Sequence, residues 1–316
     1  MNRGAESNAE ISNRRRLFEE QQKDFDDFFI GLDGTRIRKL KFSGYNNEME
    51  IIFDDNTRMY LLFSNSMVKL DRNLRRNKMG RTFRVFKVPI QEFAILTKIE
   101  VEKNREQMIA KYFQLIIQKS QDNLKYIEMH TDYRFPFEST TIRNCLNLEV
   151  IEIQNSSTFK RKIDFFKCGF MDQRMFRSIS SEIMIYGFLL AANMFEFEKM
   201  RAKTVSCDHI CGNIHVALNG YLRRFAQNQL TNVMDNIDME LYVPKTGNSE
   251  NENEEEEEEE ERMLQPQLKN VLGGFETVDE PNITPQRINF AIRNQNHYIS
   301  VECYGKNFSM ALRRHF

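Results

Sequence analysis

Leu96-Thr97-Lys98-Ile99-Glu100-Val101, Leu124-Lys125-Tyr126-Ile127-Glu128-Met129 and Leu148-Glu149-Val150-Ile151-Glu152-Ile153 share one pattern. Each has a leucine, two variable positions, then an apolar, an acidic and an apolar residue. The leucines stand 28 and 24 residues apart, within the roughly 20–29-residue spacing of leucine-rich repeats. Each copy suits a short strand whose leucine and flanking apolar residues enter a core. Between the first two copies, Met108, Ile109, Tyr112, Phe113, Ile116 and Ile117 fall on one face of a helix. Strand, helix, strand at this period is the unit of a right-handed solenoid. Ala202-x-x-Val205-x-Cys207 and Met234-x-x-Ile237-Asp238-Met239 read as degraded further copies. A helix lies between them, with Ile214, Leu218, Tyr221, Leu222 and Phe225 at three- and four-residue steps.

Working outward, residues 1–30 are polar, with Arg14–Arg16 followed by Glu19, Glu20, Asp24, Asp26 and Asp27. The expectation there is a flexible, frayed end. Residues 31–90 open as an antiparallel β meander. Its runs are Ile37–Phe42, Met49–Phe53 and Met59–Phe63, separated by the turn residues Ser43-Gly44-Tyr45-Asn46-Asn47 and Asp54-Asp55-Asn56. A basic linker, Lys69–Lys87, follows. The repeat-like α/β region covers 91–245, and its 13-residue apolar run Ile183–Phe195 reads as a buried helix, since about 18 residues are needed to span a bilayer. Residues 246–266 hold eight consecutive glutamates, Glu254–Glu261; like charges at that density stay extended and form a disordered insertion. Residues 267–316 close the chain as a β cap with strands at Arg287–Ile292, His297–Tyr304 and Phe308–Leu312. The fold class is α/β: a leucine-rich-repeat-like solenoid between an N-terminal β meander and a C-terminal β cap.

With 45 basic and 46 acidic residues, net charge names no partner, and only local clusters matter. Five cysteines, an odd number at irregular spacing, read as reduced thiols of an intracellular protein, cytoplasmic or nuclear. No nucleophile elbow, glycine-rich phosphate loop or HExxH pattern occurs, so the reading is not an enzyme and needs no cofactor. Cys207-Asp208-His209-Ile210-Cys211 offers a zinc-like set if an extended strand puts both thiols and the imidazole on one face. No second cluster supplies a fourth ligand, so the expectation is no metal.

Two surfaces compete for a partner. On solenoid strands Glu100, Glu128 and Glu152 would line the open face, with Lys98, Lys125 and Tyr126 beside them, ready for a basic segment of a protein. The alternative is nucleic-acid or other polyanion binding through Arg72, Arg75, Arg76, Lys78, Arg81 and Arg84. Only Phe83 and Phe86 interleave as aromatics there, so nucleic acid is the runner-up. No membrane partner is expected.

The L-x-x-I-E segments come with the helix LNGYLRRF (Leu218–Phe225), the strand IDMEL (Ile237–Leu241) and the closing stretch Arg287–Leu312. That stretch carries Ile292-Arg293, Tyr298-Ile299 and Phe308-Ser309-Met310. This order resembles the F-box-associated domains expanded in nematodes, including the FTH type. Two features depart from that pattern: the turn is Asn294-Gln295-Asn296 where Asp-Gly is common, and no F-box pattern precedes Arg36. The resemblance implies a substrate-binding module related to ubiquitin-ligase adaptors, with recruitment to the ligase machinery resting on an F-box that this sequence lacks.

Overall fold

A computed structural model describes residues 8–44, 47–63, 83–87, 98–131, 142, 144–155, 163–164, 173–212, 214–241, 282–283, 287–294, 297–304 and 307–314. The chain divides into two compact units, Met1–Leu146 and Asn147–Phe316. Both are mixed α/β. No helix among the described residues is long and apolar enough to cross a membrane.

In the first unit the meander forms as expected: β1 (Ile37–Ser43), β2 (Glu48–Phe53) and β3 (Arg58–Leu62) pair antiparallel in sequence order. Two further strands, β4 (Phe83–Lys87) and β5 (Tyr126–Thr131), join in parallel beside β3 and β1. The order is therefore β5-β1-β2-β3-β4. Alternation sends Leu40, Phe42, Met49, Ile51, Leu61, Ile127 and Met129 to the buried side.

The polar N-terminus, expected to fray, is a 23-residue helix, α1 (Asn8–Ile30). What holds it is a short aromatic stripe at its end. Phe25 and Phe29 are buried and meet Tyr112 of a second helix at ring-centroid distances of 5.0 and 5.1 Å. The Tyr112 hydroxyl donates to Asp26 Oδ1 at 2.7 Å, and Lys111 Nζ donates to Asp26 Oδ2 at the same distance. Burial, first, and the Asp26 carboxylate push the Tyr112 hydroxyl well above its ordinary pKa.

That second helix, α2 (Lys98–Ser120), overturns one sequence expectation. The first hexapeptide copy is not a strand: Lys98, Ile99 and Glu100 open α2, and Leu96 lies outside the described residues. The other two copies follow turn residues, Asp122-Asn123 and Asn144 with Asn147, which reset the chain before each leucine. The first copy instead runs without glycine or proline into the amphipathic stretch ending at Ile117, so the helix reaches back to Lys98 within it. A single leucine-rich-repeat solenoid over 91–245 is not shown.

The second unit holds four parallel strands in sequence order: β6 (Val150–Asn155), β8 (Glu182–Tyr186), β10 (Thr204–Cys211) and β11 (Asn236–Leu241). Ile151, Ile183, Val205 and Ile237 stand side by side and are all fully buried. Past β11 the sheet turns antiparallel through β15 (Asn307–Arg314), β14 (His297–Tyr304), β13 (Arg287–Arg293) and β12 (Asn282–Ile283). The expected closing strands thus form, carrying buried Ile292, Ile299, Val301 and Met310. A short helix, α3 (Gln173–Ser178), and a longer one, α4 (Ile214–Ala226), complete the unit. On α4 the expected face Ile214, Leu218, Tyr221, Leu222 and Phe225 is buried throughout.

The run Ile183–Phe195 is not a helix. It forms β8, then β9 (Phe188–Ala191), then a 3₁₀ turn Ala192–Met194. Gly187 separates the strands at φ +78°, a left-handed conformation that glycine adopts cheaply. β9 pairs with β7 (Ile163–Asp164) and with the far end of β10. Of the basic linker, only the β4 residues are described, and they are strand. Arg72, Arg75, Arg76, Lys78 and Arg81 lie outside the described residues, as does the acidic insertion 246–266.

A Cβ added to Gly187 would sit 2.7 Å from the Asn155 carbonyl oxygen. Gly187→Ala should therefore cost about 1–3 kcal/mol through strain and collision, read as a lowered urea midpoint with unchanged slope. Phe29→Ala should cost about 3–5 kcal/mol, whereas a frayed N-terminus would tolerate it.

Candidate functional site

Strand alternation leaves one face of β6, β8, β10 and β11 turned away from the buried side chains. It carries Glu152 and Gln154; Glu182, Met184 and Tyr186; Thr204, Ser206 and Asp208; and Asn236, Asp238 and Glu240. These four strands contain five carboxylates and no lysine or arginine. Register staggers the charges. Glu152 lies level with Met184, Ser206 and Asp238, while Glu182 lies level with Val150, Thr204 and Asn236. Glu152 and Asp238 are thus three strands apart, about 14 Å at the usual strand spacing. The stagger keeps Glu152, Glu182 and Asp238 from standing directly opposite one another, whereas Asp208 and Glu240 come close enough to share His209.

At the C-terminal ends of the parallel strands the face carries its densest polar cluster. β10 bulges between Cys207 and Ile210, and His209 takes φ +57°. The bulge breaks the alternation on which the zinc-like reading depended: Cys207 stays in the core, while His209 and Cys211 remain partly exposed. Burial raises the Cys207 thiol far above its ordinary pKa, making it an inert apolar side chain. Among the described residues no group of three or more His, Cys, Asp or Glu is placed to hold a metal ion.

The two oxygens of Asp208 accept from the Gly187 backbone N–H at 2.7 and 2.8 Å, and Asn155 Nδ2 donates to the Gly187 carbonyl at 3.1 Å. His209 Nδ1 lies 3.8 Å from both Asp208 Oδ2 and Glu240 Oε2, so a charged imidazole would be flanked by two carboxylates. Burial lifts the Asp208 carboxyl above its ordinary value. The Gly187 N–H and His209 oppose that shift, and Glu240 adds to it. Nearby, the Tyr186 hydroxyl donates to Ser206 Oγ at 2.8 Å. The cluster can hold charge and accept hydrogen bonds, but the Cys207 thiol faces the other way.

The sequence-proposed residues scatter. Lys98 and Glu100 open α2. Lys125 is exposed just before β5, its backbone N–H bonded to the Arg38 carbonyl. Tyr126 and Glu128 come together on β5 in a mixed-charge patch. Lys41 pairs with Glu128, His130 Nε2 lies 3.3 Å from Glu128 Oε1, and the Lys39 and Lys41 ammonium groups sit 5.0 and 5.6 Å from the Tyr126 ring centroid. Glu152 belongs to the acidic face of the second unit. Arg84 is on β4, in register with Met59. Sequence reasoning missed Glu182, Asp208, His209, Asp238 and Glu240 as a set. Asp238 carried a signal, standing at the acidic position of a degraded copy. Glu182 was hidden by reading its strand as helix.

A raised folded-state pKa means that the folded protein holds the Asp208 proton more tightly than the unfolded chain. Its contribution to stability is complete below the ordinary aspartate value of 3.8 and is lost as pH rises through the folded value. Subtracting the stability of Asp208→Asn from wild type between pH 3 and 7, by urea unfolding, should give a difference that declines with pH. A flat difference would contradict the burial of this carboxyl. Scans against protein-family models, curated proteins and solved structures each return no match for this chain.

Proposed function

We propose that this chain is a non-catalytic protein-recognition module and that the outward face of β6, β8, β10 and β11 receives a basic segment of a partner protein. The observation that carries this reading is the charge pattern: Glu152, Glu182, Asp208, Asp238 and Glu240 on four adjacent strands without a lysine or arginine. Glu182 and Asp238 have no side-chain partner among the described residues. Single-sign faces on a rigid sheet favour an oppositely charged partner through steering and register more than through raw affinity. Interleaved Met184, Tyr186, Thr204 and Ser206 supply contact area and hydrogen bonds between the charges.

The finer form of the proposal is a substrate-binding module akin to the F-box-associated domains. Supporting it are the four parallel strands that follow one another in sequence order from Leu148 onward, as a repeat would. The stretch Arg287–Leu312, on which that likeness rests, runs through the three antiparallel strands β13, β14 and β15. The polyanion alternative rests on Arg72, Arg75, Arg76, Lys78 and Arg81, which lie outside the described residues, and on Arg84 of β4.

The full chain should bind a fluorescent Arg/Lys-rich dodecapeptide by anisotropy at low salt, with affinity falling as salt rises. Combining Glu152→Gln, Glu182→Gln and Asp238→Asn should weaken binding at least about ten-fold, equivalent to roughly 1.4 kcal/mol, with an unchanged circular dichroism spectrum. Unaltered affinity in the triple variant would remove the acidic face from recognition. Co-capture of a cullin from native extract would support the adaptor form.

A further inference from the structure

The first unit contains a cleft of about 580 Å³, within the roughly 300–1,000 Å³ range of small-molecule sites. It lies between the end of α1 and the β2–β3 turn, and uses none of the acidic face discussed above. Phe28, Leu32, Phe53 and Met59 contribute apolar wall, and Asp27, Asp33, Asp55, Arg36 and Arg58 the charged wall. Both phenylalanines are partly exposed, leaving ring surface for a ligand.

The sign of the ligand follows from how the wall charges are used. Arg36 donates from Nε to Asp54 Oδ1 at 3.2 Å and from Nη2 to Asp55 Oδ2 at 2.5 Å. Arg58 Nη1 donates to Glu50 Oε1 at 2.5 Å. Its Nε has no hydrogen-bond partner, but that atom is buried, so an anion in the cleft gains nothing from it. Nearby Lys119 Nζ donates to the Ile30 and Leu32 carbonyls at 2.6 and 3.2 Å. Each of these cations thus has at least one hydrogen bond to the protein.

Two carboxylates keep acceptor capacity. Asp33 Oδ1 accepts from the Thr35 N–H at 3.0 Å and from Thr35 Oγ1 at 2.6 Å, which leaves Oδ2 for a ligand. Those bonds first, and then the charges of Arg36 and Lys119, hold the Asp33 carboxyl below its ordinary pKa. The exposed Asp27 side chain has no hydrogen-bond or ion-pair partner among the described residues. It also occupies the last turns of α1, which carry no basic residue in the final turn. An anion near a helix C-terminus opposes the macrodipole, a local cost that a bound cation would relieve.

We propose that this cleft binds a small organic cation: a protonated amine on an apolar, preferably aromatic, body. The ammonium lies toward Asp27 and Asp33, and the body packs against Phe28 and Phe53, whose rings add cation–π attraction. A lysine side chain presented by a peptide has the same chemistry, and the probes below distinguish the two sources.

Isothermal titration of the full chain at low ionic strength uses three probes: phenethylammonium, its neutral counterpart 2-phenylethanol, and the peptide acetyl-Gly-Lys-Gly-amide. Phenethylammonium should bind at least ten-fold more tightly than the alcohol, and Asp27→Asn with Asp33→Asn should weaken it at least five-fold. Asparagine keeps the acceptor for Thr35, and circular dichroism monitors the fold. Tighter binding of the peptide than of the free amine would support the cation site and assign its source to a protein. Equal binding of amine and alcohol, no binding of either cation at millimolar concentration, or indifference to the double variant would overturn the proposal.

Discussion

One backbone N–H holds the second unit in register. Gly187 turns the chain between β8 and β9, and β10 bulges at Asp208–His209, opposite that turn. The Asp208 carboxylate accepts from Gly187 N–H, so each irregularity fixes the other. On one side of this joint β10 pairs with β8, on the other with β9. Without the turn, β8 would run on past its partner; without the bulge, Ile210 would fall on the wrong face. Instead Ile210 is buried, and the core continues past the break. The positive φ of His209 is an unfavourable conformation for a non-glycine residue, persisting because neighbours over-determine it.

The strands of the two units manage their polar faces differently. In the first unit two acidic residues of the polar face have a cation at hand, Glu128 with Lys41 and Glu50 with Arg58. Burial, first, and Glu50 raise the pKa of Glu48 at the strand end. Pairing across neighbouring strands offsets much of the charge at the centre of that face. In the second unit no lysine or arginine occurs on the parallel strands, and His209 stands between Asp208 and Glu240. Neutral Met184, Ser206, Thr204 and Asn236 lie level with Glu152, Glu182 and Asp238. A face built this way tolerates its own charge and keeps a field directed outward.

Much of the architecture was legible because its signals were periodic and local. The meander was bounded by Asp54-Asp55-Asn56 and the residues before Asn47. The buried face of α4 followed a 3.6-residue period, and the closing strands alternated over seven to eight residues. What failed were short apolar runs, where strand and helix cannot be told apart by periodicity. Ile99-Glu100-Val101 and Ile151-Glu152-Ile153 are nearly the same tripeptide, yet one begins a helix and the other is a strand. The difference lies outside them, in whether turn-forming residues such as Asp122-Asn123 or Asn144 and Asn147 stand ahead of the leucine. In Ile183–Phe195 the deciding residue was Gly187, whose left-handed backbone is set by Asn155 and Asp208. Contacts between strands 20 or more residues apart leave no mark on local sequence.

Within α1, too, surroundings rather than composition decide what the acidic end does. Successive helical residues diverge by about 100°, so Asp26 and Asp27 have separate fates. Asp26 turns toward α2, where Tyr112 and Lys111 engage it and help orient the aromatic contact with Phe25 and Phe29. Asp27 turns toward the cleft, where every neighbouring cation is already engaged. A run of aspartates that composition alone assigns to solvent thus divides into one residue that fixes the helix and one that leaves a field in a cavity. The aromatic stripe beside it makes both roles possible, because only a docked helix can give adjacent side chains such different surroundings.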